Sequence, residues 1–138
     1  MKAVVDTNVV AYYLLGTEPF LDEVRRFWRT IDEASAPVHW EAELANAVWM
    51  AVRMGVLPTE EGHQKLDLAA RLGIQSISNR PLWQPALTRA LSSGVAVYDT
   101  LFIELAARYG LPLATFDRNL LRKFPEIAHR PSSLPASS

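Results

Sequence analysis

The stretch Val95–Asp117, VAVYDTLFIELAARYGLPLATFD, decides the fold. Val95-Ala96-Val97-Tyr98 leads into Asp99, and a largely apolar helix is expected from Thr100 to Tyr109. Gly110 ends it, because glycine takes the left-handed conformation that closes a helix at no steric cost. Leu111 to Thr115 then reads as a short strand that stops at Phe116-Asp117. A second helix is expected over Arg118–Lys123, with Asp117 placed to cap it.

Working outward, Lys2–Val5 repeats the strand signature, brief and rich in β-branched residues, and stops at Asp6-Thr7-Asn8. Buried parallel strands look like this. A helix is expected from about Pro19 to Thr30, where Phe20, Val24, Phe27, Trp28 and Ile31 fall at helical spacing. Asp32–Ala36 reads as a loop and Pro37–His39 as a short strand. Ala42–Met54 is a helix ending at Gly55. Another opens at Pro58 and ends near Gly73. Ile74–Ile77 alternates as a strand should, and Pro81–Leu91 is helical up to Gly94. Strands alternating with helices argue for an α/β fold with a mostly parallel sheet. Residues 1–130 read as one domain, and the Ser/Pro-rich residues 131–138 as a mobile tail.

Composition narrows the function. The chain has 138 residues, 49% hydrophobic and 21% charged, as an ordinary globular domain does. Lys plus Arg is 14 against 15 Asp plus Glu, a net charge of −1, so no polybasic surface draws it to nucleic acid. The absence of cysteine excludes a disulfide scaffold, a zinc-thiolate site and a thiol nucleophile. No apolar run approaches the ~18 residues of a membrane span. Met1-Lys2 leads straight into the first strand with no signal core, so a cytoplasmic protein is expected, away from any membrane.

Most acids fall on polar helix faces or in loops; four do not. Asp6 and Asp117 each follow an apolar strand. Asp99 stands at the expected N-cap of an apolar helix, and Glu43 sits among Leu44, Ala45, Ala47, Val48 and Trp49. The carboxyl ends of parallel strands converge on one edge where ligands bind, so Asp6 and Asp117 should meet there and Asp99 should face them. Taken singly, each acid has a plainer use as a cap, a turn former or a half-exposed helix residue. Together they repel and raise one another's pKa unless a cation intervenes. Oxygen ligands without His or Cys favour Mg²⁺, with Mn²⁺ as substitute. His39, His63 and His129 have no ligand spacing and read as surface or core residues.

Four blocks in order, Val4-Val5-Asp6-Thr7-Asn8, Glu43-Leu44-Ala45-Asn46-Ala47-Val48, Tyr98-Asp99-Thr100-Leu101-Phe102 and Leu113-Ala114-Thr115-Phe116-Asp117, resemble the PIN domain family. The resemblance runs from Met1 to about Ala128 and is nearest to the small VapC-type toxins of type II toxin–antitoxin pairs. It implies a three-layer α/β/α sandwich and metal-dependent cleavage of RNA. It also implies a catalytic and metal-binding set of Asp6, Glu43, Asp99 and Asp117, with Asn8 and Thr115 supporting it. Glu41, two residues before Glu43, is the alternative acid; Asn46 at i+3 favours Glu43. The resemblance further implies a cognate antitoxin and a homodimer, with apolar residues of the first two helices as contact candidates.

Arg118, Arg122 and Lys123 follow Asp117 and are candidate contacts to RNA phosphate, with a solvated helix face as the plainer reading. Arg25, Arg26 and Arg29 read as solubility charges. The tryptophans, with Tyr12 and Tyr13, read as core or interface residues, and Trp49 is expected to pack inward. A haloacid-dehalogenase-type phosphotransferase would carry a second aspartate where this chain has Asn8. A receiver domain would need a lysine at a late strand end, whereas Lys123 lies on a helix. A nuclease of RNA processing, or a catalytically silent binding module on the same scaffold, remain alternatives.

Overall fold

The structure is a computed structural model and describes residues 1–135. Five short strands, β1 (Lys2–Val5), β2 (Glu33–Pro37), β3 (Gln75–Ile77), β4 (Leu113–Ala114) and β5 (Ala128–His129), form one sheet in the order β3-β2-β1-β4-β5. Every pairing is parallel, with Val4 opposite Ser35 on one side of β1 and opposite Leu113 on the other. The helices are α1 (Thr7–Leu15), α2 (Leu21–Thr30), α3 (Trp40–Arg53), α4 (Thr59–Ala70), α5 (Trp83–Ser93), α6 (Val97–Tyr109) and α7 (Arg118–Lys123). Right-handed crossovers put α1–α4, which connect β1 to β2 to β3, on one face of the sheet. The return from β3 to β4 puts α5 and α6 on the other, where α6 packs on β1 and β2. The result is the expected three-layer α/β/α sandwich. Among the described residues no single helix is long and apolar enough to cross a membrane.

The core follows from this layering. Val4 and Val5 of β1 and Leu113 of β4 are sealed between the layers, with Val9 and Val10 of α1 on one side and Phe102, Ile103 and Leu105 of α6 on the other. Each such side chain contributes about 1.5–3 kcal/mol of transfer free energy.

Four expectations change. Helix α1 is not announced by the sequence, because Thr7, Val9, Val10, Ala11 and Leu14 are all buried and no polar face interrupts the apolar run. The second strand is Glu33–Pro37, not Pro37–His39. Its Ala-Ser-Ala centre has little strand propensity, and pairing with β1 and β3 on both sides imposes the conformation. Trp49 is not packed inward but 53% exposed, under the guanidinium of Arg53. Pro131–Ser133, expected as part of a loose tail, form a 3-10 turn in which Pro131 is buried and Ser132 bonds Glu23. Residues 136–138 of that expected tail lie outside the described residues.

Candidate active site

Strand order fixes where the site lies. The chain adds strands on one side of β1 as far as β3, then crosses to the other side for β4 and β5. A crevice therefore opens between the carboxyl ends of β1 and β4, the place where such sheets bind ligands. Asp6 follows β1 there and Thr115 follows β4.

Asp6 is the N-cap of α1, with extended φ and ψ and its Oδ1 accepting from the Thr7 amide at 2.8 Å. Its Oδ2 accepts from Thr115 Oγ1 at 2.7 Å and, more weakly, from Asn8 Nδ2 at 3.4 Å. Asn8 and Thr115 thus both hydrogen-bond Asp6, and they also tie the two strand ends together. The Asn8 Oδ1 accepts from the Phe116 amide at 3.2 Å, and Thr115 Oγ1 accepts from the Asp117 amide at 3.0 Å.

Glu43 is brought to the same edge by Thr7, whose Oγ1 donates to its Oε1 at 2.7 Å. Glu41 turns away: its Oε2 accepts from Ser76 Oγ, which in turn accepts from Trp40 Nε1 at 2.8 Å. Glu43 thus lies toward Thr7 and Asp6, and Glu41 toward Ser76 and Trp40. Asp99 is not a helix N-cap. Ala96 holds that position, and Asp99 is the third residue of α6, half-buried in its first turn. Asp117 does cap α7, its Oδ1 accepting from the Asn119 and Leu120 amides at 2.8 and 3.0 Å.

The acids act on one another. Burial pushes the Asp6 carboxyl up to about 7, with Asp99 and Glu43 adding repulsion against the stabilising bonds from Thr115 and Thr7. Burial also raises Asp99, helped by the charges of Asp117 and Glu43 and opposed by His39. All four carboxylates therefore share one electrostatic neighbourhood. Among the described residues no Lys or Arg pairs with any of them.

The donor set fits a hard divalent cation: buried and half-buried carboxylates, uncompensated, with no thiolate. Among the described residues, no group of three His, Asp or Glu side chains stands ready to hold an ion alone.

Two residues at the edge escape a reading of the sequence. Thr7 is the bridge to Glu43, and His39, which has no ligand spacing in the sequence, stands at the start of α3 beside it. The His39 Nε2 donates to the Tyr98 carbonyl at 2.8 Å, and the same nitrogen lies 3.9 Å from Glu43 Oε1. Its position four residues before Glu43, one helical turn, was the available signal. Of the basic residues after Asp117, Arg118 is exposed at the start of α7. Arg122 donates to Asn119 at 3.0 Å, and the Lys123 ammonium donates to the Ser93 carbonyl at the end of α5. Lys123 thereby meets the C-terminal end of α5 while its side chain stays exposed.

The family model described as the PIN domain matches residues 3–127. Ribonuclease VapC3 of Pyrobaculum aerophilum is 30% identical over 129 residues, covering 92% of this chain and 98% of that protein. Among solved structures, VapBC2 from Rickettsia felis bound to a DNA fragment from their promoter superposes with a TM-score of 0.65 at 16% identity. That match covers 94% of this chain and 98% of the other.

Proposed function

The chain belongs to the PIN domain family, and on that premise we propose that it is a metal-dependent endoribonuclease, the toxin of a toxin–antitoxin pair. The observation that carries the reading is Asp6, buried at the carboxyl end of β1 and repelled by Asp99 and Glu43, with no cationic side chain beside it. A carboxylate so placed costs stability unless a cation joins it. The relative named for ribonuclease activity and the neighbour solved as a VapBC complex point to the same role.

Asp6, Glu43, Asp99 and Asp117 are the residues that would hold Mg²⁺ or Mn²⁺. The chemistry such an ion supplies is a nucleophilic water near neutral pH and neutralisation of phosphate charge. The protein's own part is orientation. Thr115 and Asn8 fix Asp6 Oδ2, and Thr7 fixes Glu43. His39 holds the Tyr98 carbonyl and with it the first turn of α6 that carries Asp99. Arg118, exposed beside Asp117, receives the RNA phosphate flanking the scissile bond.

The antitoxin partner fits a groove between α1, α2 and α4, where Tyr13, Leu14 and Leu72 lie among Arg25, Lys65 and Arg71. Such a surface suits an acidic, apolar segment. Exposed Met54 and Val56, with Trp49, at the end of α3 favour a homodimer that covers them. The protein is expected to work in the cytoplasm, away from membranes.

The test is growth of a bacterial host after induced expression of the wild type or Asp99→Asn, at equal soluble protein. Arrest by the wild type alone, with new RNA 5′ ends mapped by sequencing, is the expected result. Equal growth together with no new RNA ends would overturn the toxin reading.

A further inference from the structure

Asp117 and Asn8 are held not only by their immediate neighbours but by a clasp built from the far end of the chain. β5 pairs with β4, Leu113 opposite Ala128 and Ala114 opposite His129, and the Thr115 amide donates to the His129 carbonyl at 3.0 Å. Arg130 comes next. Its guanidinium lies 4.8 Å from the ring centre of Phe116 and 5.8 Å from that of Phe20. Glu23 of α2 fixes it there, accepting from Arg130 Nη2 at 2.6 Å and Nε at 3.3 Å. The same carboxylate accepts from the Ser132 amide at 3.1 Å and hydroxyl at 2.9 Å. Phe116, buried under this lid, packs on Tyr12 and Phe20, with ring centres 5.3 and 4.9 Å away. Its amide is the donor to Asn8 Oδ1, and Asp117 is the next residue.

We propose that Arg130, locked by Glu23, is a positioning residue for the acidic edge. It presses Phe116 into place, and Phe116 in turn sets the amide that orients Asn8 and the direction in which Asp117 leaves β4. The geometry calls for arginine specifically. A planar guanidinium lies flat on an aromatic ring while its fork binds a carboxylate, and a lysine ammonium does only one of these well. Four hydrogen bonds converging on one carboxylate are also more than is needed to pin a chain end. Two of them come from the guanidinium and hold it over Phe116, and the two from Ser132 hold the carboxylate that receives it.

This inference rests on the reading of Asp6, Asn8 and Asp117 as metal-site residues, and the experiment separates the two. Amide exchange is followed by NMR in Arg130→Ala, Arg130→Lys and Glu23→Gln, alongside Mg²⁺ titration monitored by thermal shift. Arg130→Ala is expected to speed exchange of the Phe116 and Asp117 amides about tenfold beyond any change in α3. It should also raise the Mg²⁺ concentration for half-maximal shift about tenfold, as loss of an orienting contact does. Arg130→Lys should recover the ion pair but less than half of either effect. Glu23→Gln keeps the shape but sets an NH2 donor against the donors of Arg130 and Ser132, so it loosens the clasp and should show the same two changes should Arg130→Ala not fold. A lower Tm with unchanged exchange at Phe116 and Asp117 and an unchanged Mg²⁺ midpoint would reduce the clasp to a staple and overturn the proposal. Faster exchange in a protein whose wild type shows no Mg²⁺ shift would uphold the positioning and overturn the metal reading instead.

Discussion

Thr115 uses its hydroxyl twice, donating to Asp6 and accepting from the Asp117 amide. Replacing it with valine keeps the volume and removes both bonds in a fully buried setting. Thr115→Val should therefore destabilise by about 1–3 kcal/mol in urea unfolding, with Thr115→Ser recovering most of it. A stable valine variant would mean that water takes over both roles. Asp117 separates cap from charge: asparagine caps helices about as well as aspartate, and alanine does not. Asp117→Asn should keep the stability of the wild type and lose RNA cleavage. Asp117→Ala should lose cleavage and about 1 kcal/mol besides. Undiminished cleavage by the asparagine variant would leave Asp117 as a cap alone. At this scale the places of Asp6 and Asp117 were legible because each follows a strand end and caps a helix start that the local sequence marks, whereas Asp99 falls two residues inside its helix. Thr7 and His39 were not legible, because the groups they hold, Glu43 and Tyr98, lie 36 and 59 residues away. Arg130 was illegible for the same reason, its partner Glu23 being 107 residues distant.

Elements with one wet face were easy to read and those with none were hard. α2 alternates polar and apolar residues at helical spacing, and it lies at Leu21–Thr30, inside the expected range. α1 is buried along most of its length, so its composition does not distinguish it from a continuation of β1. β2 is a strand by tertiary decision, since Glu-Ala-Ser-Ala-Pro would stand as a loop without its two neighbours. Close approach between helices is equally invisible in sequence. Gly62 of α4 faces α3, where an added Cβ would meet Val52 Cγ2 at 2.9 Å and Val48 Cγ1 at 3.3 Å. Valine is stiff about χ1 and gives way poorly. Alanine in a helix gains about 1 kcal/mol over glycine, and overpacking costs about 1–3 kcal/mol. Gly62→Ala should thus unfold at lower urea than the wild type despite its better helix propensity. A higher midpoint would show that α3 and α4 have room between them.

Across the whole molecule the crowded carboxylates invert the usual response to acid. Most native carboxylates are ionised more readily in the folded state, so acid unfolds the protein. Glu23 follows that rule. Burial alone would raise it, but the bonds from Arg130 and Ser132 outweigh burial and hold it low, so its contribution disappears as pH falls through its lowered pKa. Asp6 does the opposite. Its pKa is 3.8 when unfolded and about 7 when folded, so between those values the native state binds the extra proton. Stability then falls as pH rises through that window, and Asp99, also raised, adds to the slope. Metal-free protein should therefore lose thermal stability from about pH 5 to pH 7.5. Mg²⁺ binds the ionised acids, so at neutral pH it should restore the loss, by about 2.7 kcal/mol when present at 100 times its Kd. Asp6→Asn removes the charge that burial penalises. It should melt higher than the wild type in EDTA at pH 7.5, show a flatter pH dependence and respond less to Mg²⁺. Calorimetric scans of both proteins across this range, with EDTA and with Mg²⁺, check all three statements. A metal-free wild type that grows steadily more stable up to pH 7.5 would mean that the acids are relieved within the fold itself, and the case for a cation between β1 and β4 would fall with it.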